Sequence, residues 1–194
     1  NAGISDLYNF KKSNINSFFV PMDRCYEKFL GQLFERYSPE FKVEEQKYQS
    51  AWKKQEEDED KETTLGFRTD VLLRDKVNDD LKHLIDAKYM EKIDTKDRYE
   101  IGFYIHEYEP PGREGFAILP HDKRAEHDKA LTPEKKKELV DMRLRDYSIT
   151  SEKQEIKINI KHVDVDELLD VIYRKGFSSH IARFLINRLI TSYA

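Results

Sequence analysis

The sequence predicts a single domain of the α/β or α+β class, for three reasons. Its 194 residues suffice for one domain with a real hydrophobic core. Its apolar residues repeat first with helical and then with strand periodicity, in the order helix, strands, helix, strand, strand, helices. Although 37% of the residues are charged, a hydrophobic fraction of 38% with 12% aromatic residues argues against a disordered chain.

The first predicted element is a helix over residues 22–37, where apolar residues recur at helical spacing. Pro21 precedes it, where a helix start tolerates proline, and Ser38 and Pro39 end it. We place Cys25 on the apolar face of this helix and therefore in the core. Residues 41–52 show a weak strand pattern and lead into an acidic run at 56–62, which is typical of a solvated loop.

A β-hairpin follows, with strands predicted over residues 66–73 and 81–89 and a turn at 77–80. If the turn is centred on Asn78, Asp70 lies eight residues before the centre and Asp86 eight residues after it. Residues equidistant from the centre face each other on one side of the sheet. Lys88, two residues beyond Asp86, points to the same side. The hairpin is thus predicted to present two carboxylates and a lysine together.

The remaining elements are two strands and several helices. Asp94 and Thr95 suit the start of a helix that continues to Tyr108. An apolar stretch at 115–120 suits a buried strand, and the alternation at 155–163 predicts a strand with one polar face. The tail at 164–193 is predicted to be helical, with Gly176 and the two serines after it dividing it into two helices.

Composition excludes several classes of protein. No apolar run is long enough to span a bilayer, and no signal peptide is visible. The single cysteine excludes an internal disulfide and a multi-cysteine zinc site, so we expect a cytoplasmic protein. A formal net charge of −4 excludes a globally basic coat for nucleic acid, though not a local basic face. The chain starts without methionine, as a fragment of a longer protein would.

The predicted cluster of Asp70, Asp86 and Lys88 suits metal-assisted phosphodiester hydrolysis. Two neighbouring carboxylates repel each other unless a cation lies between them, and hard oxygen ligands favour Mg²⁺ or Mn²⁺. A lysine beside the metal can orient an attacking water or help to deprotonate it. The alternative is an ordinary salt bridge on a strand face. The apolar flanks of both strands favour the catalytic interpretation. A charge within a core strand costs free energy, so its presence there suggests a function.

The residues Arg68-Thr69-Asp70 and Asp86-Ala87-Lys88-Tyr89 resemble the two strand motifs of the PD-(D/E)XK nuclease superfamily. More closely, they resemble the nuclease subunit of McrC and LlaJI-type restriction systems, with Thr69 in place of the usual proline. Residues 20–29 resemble that family's upstream helix. Residues 97–100, followed by Tyr104, resemble its Tyr-Gln helix, with Glu100 in place of the glutamine. The resemblance covers about residues 18–121.

This resemblance implies a PD-(D/E)XK restriction-endonuclease-like fold, a mixed central sheet flanked by helices. It implies a divalent-metal-dependent endonuclease that cuts double-stranded DNA, leaves 5′-phosphates and acts with a McrB-like AAA+ NTPase subunit. Asp70 and Asp86 would hold Mg²⁺ or Mn²⁺, Glu27 on the upstream helix would assist, and Lys88 would position the water. The chain has no phosphate loop, so nucleotide hydrolysis would belong to the partner. A homodimer is an open alternative.

Further candidates for DNA contact are Tyr89, Tyr99 and Glu100. The basic residues Lys135, Lys136 and Lys137 could follow phosphates, although a solvated helix face explains them equally well. We divide the chain into an N-terminal segment (1–17), a nuclease domain (18–163) with a charged insertion near 122–150, and a C-terminal helical segment (164–194).

Two other functions remain open at this stage. The first is a non-catalytic scaffold that retains the nuclease fold and binds DNA or an AAA+ ring; the changes at Thr69 and Glu100 favour it slightly. The intact set of Asp70, Asp86 and Lys88 argues against it. The second is another PD-(D/E)XK nuclease, acting in repair or on mobile elements.

Overall fold

A computed structural model describes residues 20–54, 63–90, 92–121, 146–173 and 179–191. Within these ranges a short 3₁₀ turn at Pro111–Arg113 accompanies four α-helices and six β-strands. In chain order the elements are α1 (Met22–Tyr37), β1 (Phe41–Lys54), β2 (Thr63–Asp75), β3 (Leu81–Ala87), α2 (Thr95–Tyr108), β4 (Glu114–Pro120), β5 (Tyr147–Ser151), β6 (Ile156–Val163), α3 (Val165–Tyr173) and α4 (Ser179–Leu189).

The six strands form one mixed sheet in the order β1-β2-β3-β4-β6-β5. The first three strands are antiparallel, β3, β4 and β6 run parallel, and β5 pairs with β6 in the antiparallel direction. Parallel neighbours need a crossover connection, and α2 supplies the one between β3 and β4. The predicted fold class, a mixed sheet flanked by helices, is confirmed.

Helices cover both faces of the sheet, because alternate residues of the central strands are apolar on both sides. Val71 and Leu73 of β2 pack in the core that contains Leu30 and Phe34 of α1 and Ile186 of α4. On the opposite face, Leu72 and Leu84 pack with Tyr104 of α2. Ile101 and Ile105 of α2 pack there against the isoleucines of β6. The central strands are therefore buried on both sides, as strands with parallel neighbours usually are.

Helix α1 has the bounds predicted from its periodicity, but its buried face is narrower than expected. The buried residues include Tyr26, Leu30, Leu33 and Phe34, whereas Cys25 is exposed. The prediction that Cys25 lies in the core is wrong, because the helix turns the 26-30-33-34 stripe toward the sheet. Cys25 lies at the flank of this stripe.

The register of the hairpin confirms the predicted centre at Asn78. Val71 pairs with Ile85, Leu72 with Leu84 and Leu73 with His83, and each pair is equidistant from residue 78. The register shifts only near the turn, between Leu73 and Arg74. This alignment carries Asp70 and Asp86 to neighbouring positions where the paired part of the two strands ends.

The polar face of β6 differs from the prediction. Asn159 and Lys161 are only 2% and 1% exposed, because β6 lies between β4 and β5 with the core on both sides. Lys161 Nζ lies 3.6 Å from Asp146 Oδ2, and the Asn159 amide donates to Glu114 Oε2. The edge strand β5 that helps to cover them was not predicted from the sequence.

Several predicted features lie outside the described residues: the acidic run at 56–62, most of the charged insertion near 122–150 and the N-terminal segment 1–17. The two C-terminal helices are found as α3 and α4. The predicted domain boundaries stay predictions. No helix within the described ranges is long and apolar enough to cross a membrane.

Candidate active site

Asp70 lies within β2 where its pairing with β3 ends, and Asp86 lies near the end of β3, both on the face covered by α2. Strand alternation puts Asp70 on the side of Leu72 and Asp86 on the side of Leu84. Asp70 is half-buried and its Oδ2 accepts a hydrogen bond of 2.7 Å from the backbone N–H of Ala87, which joins it to the end of β3. Asp86 is 3% exposed. The two carboxylates are therefore held by core strands, as the pairing pattern predicts.

Burial raises the pKa of both carboxyl groups. The pKa of Asp70 rises to about 7, mainly through loss of solvation, although the Ala87 hydrogen bond opposes this rise. The pKa of Asp86 rises to about 8 through burial and through the negative charge of Asp70. Each carboxylate is thus poorly stabilised as an anion in the protein alone. A cation between them would relieve both effects.

Lys88 continues from the end of β3 and lies among three carboxylates. Its Nζ is 3.1 Å from Asp86 Oδ2, 2.9 Å from Glu100 Oε2 and 3.6 Å from Asp97 Oδ1. Burial favours the neutral amine, but the charge of Asp86 and the bond to Glu100 outweigh it and raise the pKa of Lys88 well above its usual range. In the metal-free protein Lys88 is therefore protonated and acts as a cationic hydrogen-bond donor.

Helix α2 supplies the side chains that hold Lys88. Glu100 accepts from Lys88 with Oε2 and from the hydroxyl of Tyr104 with Oε1, the latter at 2.8 Å. Although burial raises the pKa of Glu100, these two hydrogen bonds bring it below its usual value, so the group is ionised. Glu100 thus bridges Lys88 and Tyr104. This places it at the site, and its predicted contact with DNA stays a prediction.

Sequence reasoning did not assign Asp97 and Tyr104 to the site. Asp97 completes the capping box of α2: its carboxylate accepts from the Asp94 N–H, and its own N–H donates to Asp94. The spacing of 97, 100 and 104 puts all three on one face of a helix, and that signal could have found them. Which helix face meets the strand ends depends on tertiary packing.

Glu27 lies near the site but outside the Lys88 cluster. It is half-buried on α1, and its Oε2 accepts a hydrogen bond of 2.9 Å from Gln46. Its charge contributes to the raised pKa of Asp70, after burial. Within the described ranges no three His, Cys, Asp or Glu side chains are arranged as a ready metal-ligand group. A role for Glu27 at a metal stays a prediction.

The donor set nevertheless fits a divalent cation. Mg²⁺ is commonly held by one or two carboxylates and keeps several waters, so Asp70 and Asp86 supply what such a site needs from the protein. In the part of the chain that the structure describes, Asp86 Oδ2 is buried and has no hydrogen bond of good geometry. It lies only in ion-pair range of Lys88. A buried carboxylate oxygen that meets one ammonium group, with no further donor among the described residues, is suited to a hard cation.

The other predicted contacts fall at different places. Tyr89 is 48% exposed and its ring centroid lies 5.8 Å from that of Tyr26, beside a pocket of about 400 Å³. Tyr99 is 73% exposed on α2. Lys135, Lys136 and Lys137 lie outside the described residues.

Thr69 does not disturb the strand. It is fully buried and pairs with Lys47 of β1 within a continuous β2. The substitution of the proline that is usual in the family motif therefore leaves Asp70 at its expected position.

Comparisons with known proteins agree with this fold. A solved structure described as a refined half-complex from the tetradecameric assembly of Thermococcus gammatolerans McrB AAA+ hexamers with bound McrC matches with a TM-score of 0.56 and 12% sequence identity. The match covers 89% of this chain but 34% of that one, so the present chain spans about a third of its length. At this identity the likeness shows the fold alone. No curated protein matches the sequence.

The sequence itself matches a family model over residues 3–110, more than half of the chain, and this region contains every residue of the site. The model is described as "McrBC 5-methylcytosine restriction system component". The chain therefore belongs to the McrBC family of restriction system components.

Proposed function

We propose that this chain is a divalent-metal-dependent DNA endonuclease. One observation carries the proposal: two carboxylates with raised pKa values, Asp70 and Asp86, lie beside the cationic Lys88 at one end of the sheet. Perturbed carboxylates paired with a specific charge partner are typical of catalytic sites. Membership of a restriction-system family supports DNA as the substrate.

The chain's own residues divide the work as follows. Asp70 and Asp86 would hold Mg²⁺ or Mn²⁺, and Glu27 is a further candidate from α1. When bound, the ion polarises the phosphoryl oxygen and lowers the pKa of the attacking water. Lys88, which is protonated in the metal-free protein, would donate hydrogen bonds to that water or to a phosphate oxygen. The carboxylate of Glu100 fixes the position of the Lys88 ammonium group.

The proposal extends to a partner. The solved neighbour contains McrB AAA+ hexamers with bound McrC. We propose that this chain likewise acts with a nucleotide-hydrolysing AAA+ subunit, and that the two act on double-stranded DNA. Products would carry 5′-phosphates, as the superfamily resemblance implies.

A non-catalytic scaffold is the second candidate, and the local charge favours it. Asp86, Asp97 and Glu100 surround the ammonium group of Lys88, with Asp70 opposite Asp86 on the paired strand, and without a metal these four carboxylates would repel a phosphate. If the site never takes up a metal, only binding functions remain.

Cleavage of supercoiled plasmid in Mn²⁺ and then in Mg²⁺ separates the two candidates. We expect nicking by the wild-type protein and a loss of about 100-fold or more in Asp86→Asn and in Lys88→Ala. Glu35→Gln and Lys76→Ala, which change exposed residues elsewhere, serve as matched controls. Equal nicking by all five proteins would indicate a contaminating nuclease. No nicking, even with the AAA+ subunit and nucleotide added, would favour the scaffold.

A further inference from the structure

A second surface of α2 forms a groove that differs in charge from the active site. The groove, of about 480 Å³, lies between α2 and the turn that joins β5 to β6. Its lining includes Arg98, His106, Arg113 and Lys153, together with Tyr99, and within the described residues no Asp or Glu lines it. In a chain with a net charge of −4, a groove bordered by four basic side chains is a local exception. We call it the α2 groove.

Three of the four basic side chains have a contact that positions them at the groove. Arg98 Nε donates to the carbonyl oxygen of Asp94, and Arg113 Nη2 lies 3.5 Å from His106 Nδ1. Arg113 Nε is buried and, among the residues that the structure describes, has no hydrogen-bond acceptor. Glu152 and Glu155 lie on the same turn as Lys153 but do not line the groove. The groove can therefore donate hydrogen bonds to an external group and attract its negative charge.

The dimensions favour a polymeric anion over a single phosphate. His106 follows Arg98 by eight residues, which is about 12 Å along a helix axis. Duplex DNA carries one charge about every 3.4 Å along the axis on each strand, so this span covers several phosphates. Tyr99, 73% exposed at the same edge, offers a ring on which an unpaired base can stack.

We infer that the α2 groove binds the sugar-phosphate backbone of the DNA on which the active site acts. Asp97, Glu100 and Tyr104 on one face of α2 border the active site, and Arg98, Tyr99 and His106 on the other border the groove. The two sites are thus separated by about one helix diameter, roughly 10–12 Å. This inference rests on the proposed function in taking DNA as the ligand. It assigns backbone contact to residues outside the catalytic set.

Fluorescence anisotropy tests the binding of DNA by the groove. The ligands are a labelled DNA duplex and one of its strands alone, and EDTA is present to prevent metal-dependent cleavage. The key variant is Lys153→Glu, since Lys153 is exposed on a turn and its replacement does not threaten folding. We expect its affinity for duplex to fall about tenfold and the slope of log affinity against log salt to decrease by about one. Tyr99→Ala should weaken single-strand binding at least about fivefold.

Lys76→Glu is the matched control, because it makes the same charge change on the exposed β2–β3 turn. Equal losses in Lys153→Glu and Lys76→Glu, or no binding by the wild-type protein, would overturn the inference. The inference would also be overturned if polyglutamate competed for binding as effectively as unlabelled DNA at equal total charge, because an acidic polypeptide would then be the ligand. Groove-dependent binding without any metal-dependent cleavage would retain the groove and reject the proposed nuclease. If cleavage requires Asp86 but the groove variants bind DNA normally, the nuclease proposal stands and the groove proposal is rejected.

Discussion

Glu100 is the residue at which the sequence departs most clearly from the resembled family, and in the structure it joins Lys88 to Tyr104. Its two oxygens accept from Lys88 and from Tyr104. A glutamine at this position could accept through one oxygen only and would carry no charge. The carboxylate therefore binds the lysine more firmly than the usual residue would, and it adds a negative charge near the phosphate.

This leads to a prediction on Glu100→Gln and Glu100→Ala. The glutamine variant keeps one acceptor and removes one negative charge, so we expect its nicking rate to stay within about threefold of wild type or to rise. The alanine variant loses both hydrogen bonds and frees Lys88, so we expect a fall of about tenfold. Nicking rates at saturating Mn²⁺ measure both. Identical rates in the two variants would show that Glu100 does not position Lys88.

For single residues, the sequence could predict the cluster contributed by the two strands but not the side chains that α2 adds to it. The two-residue period of a strand suffices to bring Asp70, Asp86 and Lys88 to one side. Asp97 and Tyr104 join them only because α2 docks over the strand ends, and that docking depends on packing between Ile101, Ile105 and the sheet. No local pattern encodes it.

Among the elements, those with strong local signals were predicted closely. Helix α1 ends where Ser38 and Pro39 follow it, and α2 begins after its Asp94 cap. The errors concern β5 and β6. Tyr147–Ser151 has one central apolar residue, Ile149, so the edge strand carries no clear alternation. Lys161 was expected in solvent because its alternation with isoleucines resembles an exposed strand face; β5 and the core bury it.

The capping box of α2 links helix stability to the site, and Asp94→Ala tests that link. Alanine removes the acceptor for the Asp97 N–H, so the first turn should fray and the Asp97 amide should exchange with solvent much faster. Because Asp97 and Glu100 both hold Lys88, we expect nicking to fall as well. Asp94→Ser, which retains a cap, should behave like wild type. Unchanged exchange at Asp97 in the alanine variant would contradict this account.

Considered as a whole, the molecule separates its charges. The acidic site and the basic α2 groove lie on opposite faces of one helix, and the net charge of −4 conceals both. Such an arrangement can draw in a divalent cation at one place and a phosphate backbone at another. Composition cannot reveal this, since residues distant in sequence, such as Arg98 and Lys153, form the groove together.

The raised pKa values of the carboxylate pair should also affect how the stability of the whole molecule depends on pH. Asp70 and Asp86 have folded-state pKa values of about 7 and about 8, above the ordinary aspartate value of 3.8. Between these limits the folded protein binds more protons than the unfolded chain, so the free energy of unfolding falls as pH rises from about 4 to about 8. These two groups therefore destabilise the metal-free protein most where both are ionised.

Thermal unfolding of wild type and Asp86→Asn in EDTA tests this. At about pH 8 the asparagine variant should be more stable by about 1–3 kcal/mol, which raises Tm by roughly 2–10 °C. At about pH 5 the two proteins should differ little, because Asp86 is then protonated in the fold.

Millimolar Mn²⁺ at the higher pH should raise the Tm of wild type and leave that of Asp86→Asn nearly unchanged, since the ion stabilises the state that binds it. Glu35→Gln, an exposed neutralisation, should follow wild type in every condition. A destabilised Asp86→Asn at about pH 8 would mean that the ionised Asp86 is satisfied by Lys88 alone and that the pair has no need of a metal.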